Sequence, residues 1–417
     1  MEYICIDLKC FYASCECVER GLDPFETNLV VADMARGKGG ICLAVSPKMK
    51  NLGVKNRCRL FEIPKNINYI VAKPRMKKYI DISSDIYAIY LKFFSKDDIH
   101  VYSIDEVFID VTNYLKLYKK NPLAIGKMVC KEIYDKTHIT ATCGGGNNMF
   151  LAKIAMDILA KHTKQNCYYL TIDEFKEKLW EHTPLTDFWQ IGKGIEKRLI
   201  KLGLNTLKKV ACCDKEILYK EFGVNAQFLI WHANGIDPTT IAEIKAYLPK
   251  QKSISSGQVL ERDYNYKETI LVLKEMVESL SLELVRIHMV TNHISLACGF
   301  NNNLNIPFVS ASRKININTS SYLVLSKEIL KLFEEKIDKQ LLIRKLSICF
   351  GNLQEDSYES YDLFTDTTKM INEKNLQEAI IDIKDKYGKS SVIRGMNLEE
   401  GATQLKRNKL IGGHNGE

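Results

Sequence analysis

A chain of 417 residues exceeds what one ordinary hydrophobic core organises and predicts two to four domains. Its hydrophobic content of 46% with 26% charged residues is that of a folded globular protein, and no run approaches the ~18 apolar residues of a membrane span. Disordered and membrane-spanning classes are thereby excluded, while the net charge of +8 and a pI near 8.7 favour a polyanionic partner.

The first predicted element is a buried strand over 3–7, Tyr-Ile-Cys-Ile-Asp, that ends in a carboxylate; a helix over 11–20 follows. No basic, apolar leader precedes it, so no secretory signal is expected. The 13 cysteines are scattered without a recurring CxxC zinc spacing and are expected as reduced thiols of a cytoplasmic protein. From Pro24 to Pro74 short strands and glycines mix with Arg36, Lys38, Lys48, Lys50, Lys55, Arg57 and Arg59, a pattern that reads as an inserted subdomain. A helix near 76–94 carries Tyr79, Ile82, Ile86, Ile89 and Phe93 on one stripe. Two short strands, 99–104 and 107–112, bracket Asp105-Glu106; a helix over 122–135, a strand over 139–143, a glycine turn at 144–146 and a helix over 147–161 complete the run.

With the insertion set aside, the order is strand, helix, strand, strand, helix, strand, the split βαβ arrangement of a ferredoxin-like sheet. That topology carries Asp7 to Asp105 and Glu106 across nearly a hundred residues. Beyond it, 168–238 reads as compact and helical, with a second basic cluster of Lys193, Lys197, Arg198, Lys201, Lys208 and Lys209. A linker is predicted over 239–252. A second α/β unit over 253–350 has helices at 266–289 and 322–338 and strands at 293–300, 314–318 and 342–350. The tail past Asn352 is polar, with one helix at 373–386, and is expected to be partly disordered.

Two segments carry the chemistry, Ile6-Asp7-Leu8-Lys9-Cys10-Phe11-Tyr12 and Tyr102-Ser103-Ile104-Asp105-Glu106-Val107-Phe108. Each sets an acid at the end of an apolar strand, where desolvation and like-charge repulsion are costly unless a cation neutralises them. Alone, either acid reads as a turn residue; together on one sheet they predict a divalent-metal site for phosphoryl chemistry. Gly192-Lys193-Gly194 followed by Lys197 predicts a helix-hairpin-helix turn, where glycine lets the backbone approach phosphate oxygens.

Asp7-Leu8-Lys9-Cys10-Phe11-Tyr12-Ala13-Ser14-Cys15-Glu16 and Ser103-Ile104-Asp105-Glu106 resemble the two signature motifs of the Y-family translesion DNA polymerases. The tail, from Lys386-Tyr387-Gly388-Lys389 through Arg394-Gly395 to Ile411-Gly412-Gly413-His414, resembles the UmuC-type branch of Gram-positive bacteria and their phages. The resemblance spans nearly the whole chain. It implies a mixed α/β right-hand polymerase: a ferredoxin-like palm (1–23 and 75–167), fingers (24–74), a helix-hairpin-helix thumb (168–238), a linker (239–252), an α/β little finger (253–350) and a C-terminal tail (351–417).

The same resemblance implies two Mg²⁺ ions, for which Mn²⁺ can substitute, held by Asp7, Asp105, Glu106 and the Leu8 carbonyl. Tyr12 matches the aromatic steric gate that leaves no room for a 2′-hydroxyl. Phe11 takes the core role beside it, and the nucleotide pocket is assigned to Phe11, Tyr12, Lys50 and Lys153, the last as the triphosphate lysine. One departure falls in the fingers, where Pro47 and Lys50 stand at positions at which many relatives carry Tyr and Arg. Lysine supplies charge without the guanidinium fork, and Pro47 is assigned no role. For DNA the implied contacts are Gly192, Lys193, Gly194, Lys197, Arg313, Lys314, Arg344 and Lys345. Tyr361-Asp362-Leu363-Phe364 resembles a sliding-clamp motif, with Ser360 where glutamine is usual. The implied partners are primer-template DNA, deoxynucleotides and a sliding clamp, for a monomeric core in the bacterial cytoplasm.

Two other classes use parts of this pattern. A palm-fold nucleotidyl cyclase would need similar carboxylates but leaves the thumb turn and Tyr12 unexplained. A non-catalytic DNA-binding subunit would be expected to lack a carboxylate, and none is missing.

Overall fold

The strand that ends in Asp7, β1 (Tyr3–Leu8), is apolar on both faces because helices cover both sides of its sheet. In chain order the first unit adds β2 (Leu29–Ala32), β3 (Cys42–Val45), β4 (Ile70–Ala72), β5 (Ile99–Val101), β6 (Glu106–Asp110), β7 (Ala141–Gly146) and β8 (Cys167–Leu170). A computed structural model describes residues 1–249, 252–301, 306–361 and 366–416, apart from the side chains of 35, 36 and 38. The chain divides into two units, Met1–Tyr247 with His414–Glu417, and Leu248–Gly413.

The main sheet of the first unit runs β5-β6-β1-β7-β8. Its first four strands are antiparallel neighbours in the ferredoxin-like order, and β8 joins parallel to β7. Helices Met76–Phe93 and Pro122–Thr137 bury Tyr79, Ile86, Ile89, Ile125, Val129 and Ile133. Each such side chain contributes roughly 1.5–3 kcal/mol of burial. The inserted segment forms its own small sheet, β3-β2-β4, around Val30, Val45, Met49 and Leu60.

Several local expectations fail for identifiable reasons. Gly144, Gly145 and Gly146 are no turn; they belong to β7, directly under the helix Met149–Ile154. A Cβ at Gly144 would meet the Ala152 carbonyl at 2.1 Å and the Met156 amide at 2.3 Å, so glycine here serves close packing. The predicted helix over 147–161 is interrupted: Met149–Ile154 passes into a π turn, Ala155–Leu159, and a 3₁₀ turn, Ala160–His162. The region expected to be helical from 168 begins instead inside β8. Six residues of the predicted linker form a helix, Ile241–Ala246, opened by a Thr240–Glu243 capping box and anchored by buried Ile241 against Tyr3, Cys5 and Phe108. The chain's last described residues also rejoin this unit, where Asn415 donates to the Pro74 carbonyl (2.9 Å) and Lys77 N–H to that of Gly416 (3.0 Å).

The second unit is a five-stranded sheet with helices on one face, its fifth strand the short Gln354–Glu355 paired to Met289 and Val290. To β10 (Met289–Phe300), β11 (Val309–Thr319) and β12 (Ile343–Gly351) it adds a strand that the sequence pattern missed, β9 (Ile254–Tyr264), in the order β11-β10-β12-β9. Helices Tyr266–Arg286 and Tyr322–Lys336 close one core with Ile294, Leu296, Leu346, Ile348 and Phe350. The tail expected to be partly disordered forms the helix Thr367–Tyr387 and an ordered return beyond it. Buried Glu275 anchors that return, accepting hydrogen bonds from Asn397 Nδ2 (2.9 Å), Thr403 N (2.7 Å), Thr403 Oγ1 (3.0 Å) and Gln404 N (3.2 Å).

Candidate active site

Antiparallel register makes the site. Asp7 on β1 lies opposite Glu106 at the start of β6 and opposite Thr142 on β7. The Leu8 amide donates to the Asp105 carbonyl (2.9 Å), so the three acids converge at one end of the sheet. Burial pushes the Asp7 carboxyl up to about 6; Lys161 opposes this, while Asp105 and Glu106 add to it. Unlike-charged company is what such a group needs.

Two lysines supply it. Lys153 Nζ lies 2.7 Å from Glu106 Oε1 and 2.8 Å from Asp157 Oδ2. Lys161 Nζ lies 2.7 Å from Asp157 Oδ1 and 3.8 Å from Asp7 Oδ2. Lys153, which alone in sequence reads as an ordinary surface lysine, is thus buried against the Glu106 carboxylate. Glu106 also accepts from Cys5 Sγ at 3.2 Å, and Asp105 accepts from Ser103 Oγ at 2.6 Å. With the carboxylates so engaged, no group of three acids, histidines or cysteines among the described residues converges in metal-ligating geometry. The donor set itself fits a hard cation, being all oxygen and anionic at a poorly solvated strand end. A cation held by Glu106 would compete with the Lys153 ammonium now paired to it.

Lys161 and Asp157 were not singled out in the sequence. Their spacing of four is the usual pattern of a solvated helical ion pair, and only the strand order reveals what they face. The π turn Ala155–Leu159 contains Asp157 and precedes Lys161.

Cys10, at φ 49°, turns the chain from β1 into the helix Phe11–Glu19. Phe11 is buried in the wall, and Tyr12, half-buried, stacks on Tyr79 with centroids 4.7 Å apart at 22°. Tyr79 donates to fully buried Glu16 (2.8 Å), which Arg75 clamps through two bonds of 2.9 and 2.8 Å. Burial first, then the Asp105 charge, raises the Tyr12 hydroxyl's pKa. Pro47 has a structural reason: it opens the helix Pro47–Asn51 behind the Ser46 cap, where a missing N–H costs nothing. Exposed Lys50 extends from that helix to the half-buried Cys10 thiol, whose raised pKa its ammonium opposes.

Gly192 caps the helix Lys193–Lys201, and open space stands where a side chain on Gly192 or Gly194 would go. Lys193 and Lys197 are exposed beside them. Gly194 lies inside this helix, and only a 3₁₀ turn, Leu185–Asp187, immediately precedes it, so the expected turn between two helices is a single helix start; Phe188 and Leu199 are buried beside it. A cleft of about 430 Å³ runs from Lys153, Asp157 and Tyr102 to Trp189 and Gly192.

On the second unit, Lys314 and Lys345 are exposed on the helix-free face, among Ser295, Ser312 and Ser347. Arg313 does not share that face. Strand alternation turns it toward the helices, where it pairs with Glu335 and Glu328. Arg344 is half-buried near Asp263 (3.7 Å). Tyr361 is exposed, whereas Asp362, Leu363 and Phe364 lie outside the described residues.

The fold is similar to that of a solved Y-family DNA polymerase chimera, Dbh-Dpo4(243-245)-Dbh: TM-score 0.66 at 23% identity, covering 85% of this chain and 99% of that one. In sequence, the chain is 32% identical to the putative UV-damage repair protein UvrX of Bacillus subtilis, over 99% of this chain and 97% of that protein. It is 30% identical to DNA polymerase IV 2 of the same organism, over 98% and 97%. Residues 6–157 match the impB/mucB/samB family and 251–363 match that family's C-terminal domain. The chain belongs to this family, the Y-family DNA polymerases. The family depends on divalent metal, and no helix among the described residues is long and apolar enough to cross a membrane.

Proposed function

We infer that this chain is a template-directed DNA polymerase for error-prone translesion synthesis, joining deoxynucleotides to a primer 3′-hydroxyl. The observation that carries this reading is the register of Asp7 with Glu106, with the Asp105 carbonyl bonded to Leu8. Asp7, Asp105, Glu106 and the Leu8 carbonyl would hold two Mg²⁺ ions, with Mn²⁺ as a substitute. Bound there, such ions stabilise charge on both the attacking and the leaving oxygen.

The remaining groups orient and select. Lys161, Lys153 and Lys50 offer positive charge to a triphosphate, with Lys161 the best placed by its distance from Asp7. Tyr12, braced on Tyr79, closes the space a 2′-hydroxyl would need. The Gly192–Gly194 amides with Lys193 and Lys197 suit duplex phosphates, read without regard to sequence. The small-residue sheet face with Lys314 and Lys345 lets a second backbone approach closely. Tyr361 to Phe364 would tether the enzyme to a sliding clamp. A monomeric core acting on the nucleoid, in the cytoplasm, fits this substrate.

Extension of primed undamaged and abasic templates with Mg²⁺ tests the reading. Extension on both is expected; a chain that extends neither is no translesion polymerase.

A further inference from the structure

Asp157 stands between the two ammoniums that reach the catalytic carboxylates. Its Oδ1 takes Lys161 and its Oδ2 takes Lys153, each ion pair spanning four residues of the helical segment. Charges therefore alternate around the site: Glu106, Lys153, Asp157, Lys161, Asp7. The separations are uneven, since Lys161 sits 2.7 Å from Asp157 but 3.8 Å from Asp7, while Lys153 is shared almost equally between Asp157 and Glu106.

We propose that Asp157 is a positioning residue: it holds Lys161 away from Asp7 and receives Lys153 when Glu106 turns to a divalent cation, leaving both ammoniums aimed at the triphosphate. The proposal rests on the polymerase reading. Its physical basis is competition. An ammonium at a carboxylate is an alternative to a metal ion, and a half-buried site weakens solvent screening of both. Without the Asp157 charge, Lys153 and Lys161 have Glu106 and Asp7 as their acidic neighbours in this ring, and every cation that binds must displace them. Geometry adds a second reason. The π turn at Ala155–Leu159 departs from regular helix in the very segment that contains Asp157, and such insertions commonly mark functional positions.

Asp157→Asn keeps shape and hydrogen-bonding capacity while removing the charge. In the full-length protein, Mn²⁺ binding measured by electron paramagnetic resonance without nucleotide should weaken about tenfold, the usual scale for groups that orient metal ligands. The KM for deoxynucleotide should rise by a similar factor of about ten, with kcat changing far less. Asp157→Glu should recover a large part of both. In a Lys161→Met background, Asp157→Asn should cost Mn²⁺ affinity markedly less, because one of the two competing ammoniums is gone. Unchanged Mn²⁺ affinity and KM in Asp157→Asn would overturn the proposal. So would an equal loss with and without Lys161, which would make Asp157 a general anionic charge. A wild-type chain that binds Mn²⁺ but extends no primer would remove the polymerase reading, leaving the Mn²⁺ comparison to judge Asp157 by itself.

Discussion

Asp7 carries a cost within the fold itself. Burial first, and the neighbouring acids after Lys161, raise its carboxyl to about 6 from an ordinary value near 3.8. A folded pKa above the unfolded one means stability is full below about pH 4 and is lost as pH rises through about 6. The loss is on the order of 3 kcal/mol by neutral pH. Asp7→Asn should therefore raise Tm in EDTA near pH 7.5 and give a much smaller gain near pH 4.5, where only part of the loss has accrued; a lower Tm at both would contradict the cost. At Tyr12 the expected effect is on selectivity. Tyr12→Ala should admit ribonucleotides at least about tenfold better relative to deoxynucleotides, since a single excluded atom is worth 1–3 kcal/mol. Unchanged sugar selectivity would remove the gate role. Of the residues that matter here, the acids were legible because two strand-ending carboxylate segments fall on one predicted sheet, although either alone reads as a turn residue. Asp157 and Lys161 were not, because a lysine and an aspartate four apart on a helix are ordinary until the sheet beneath them is known.

At the scale of elements, periodicity exposed those with one strongly apolar stripe, such as Met76–Phe93 and Tyr266–Arg286. It missed β9, where Leu260 and Tyr264 are buried but the other residues are half-buried or exposed, and it misread β7 because glycine is normally a breaker. The β7 glycines answer a packing demand from the helix above them, which no local pattern encodes. The ordered tail was hidden for a related reason: Glu275 and its partners lie more than 120 residues apart in sequence. Glu275→Ala would leave Asn397, Thr403 and Gln404 without their acceptor. It should cost about 3 kcal/mol and expose the 388–411 return to limited proteolysis. Wild-type resistance to protease in that variant would mean that the return is held by other contacts.

For the whole molecule, connectivity is the main lesson. The ferredoxin-like order followed from six elements in the right sequence, and it alone brings residue 7 beside residue 106. The sequence did not reveal how far each acid would be engaged by protein cations before any metal arrives. The central claim is that these carboxylates form one metal-dependent polymerising centre. Single-turnover primer extension in Mg²⁺ by wild type and Asp105→Ala tests it most directly. Wild type should extend the primer and the variant should lose at least about a thousandfold, as for removal of a group that stabilises transition-state charge. Extension by Asp105→Ala at a rate near that of wild type would contradict it.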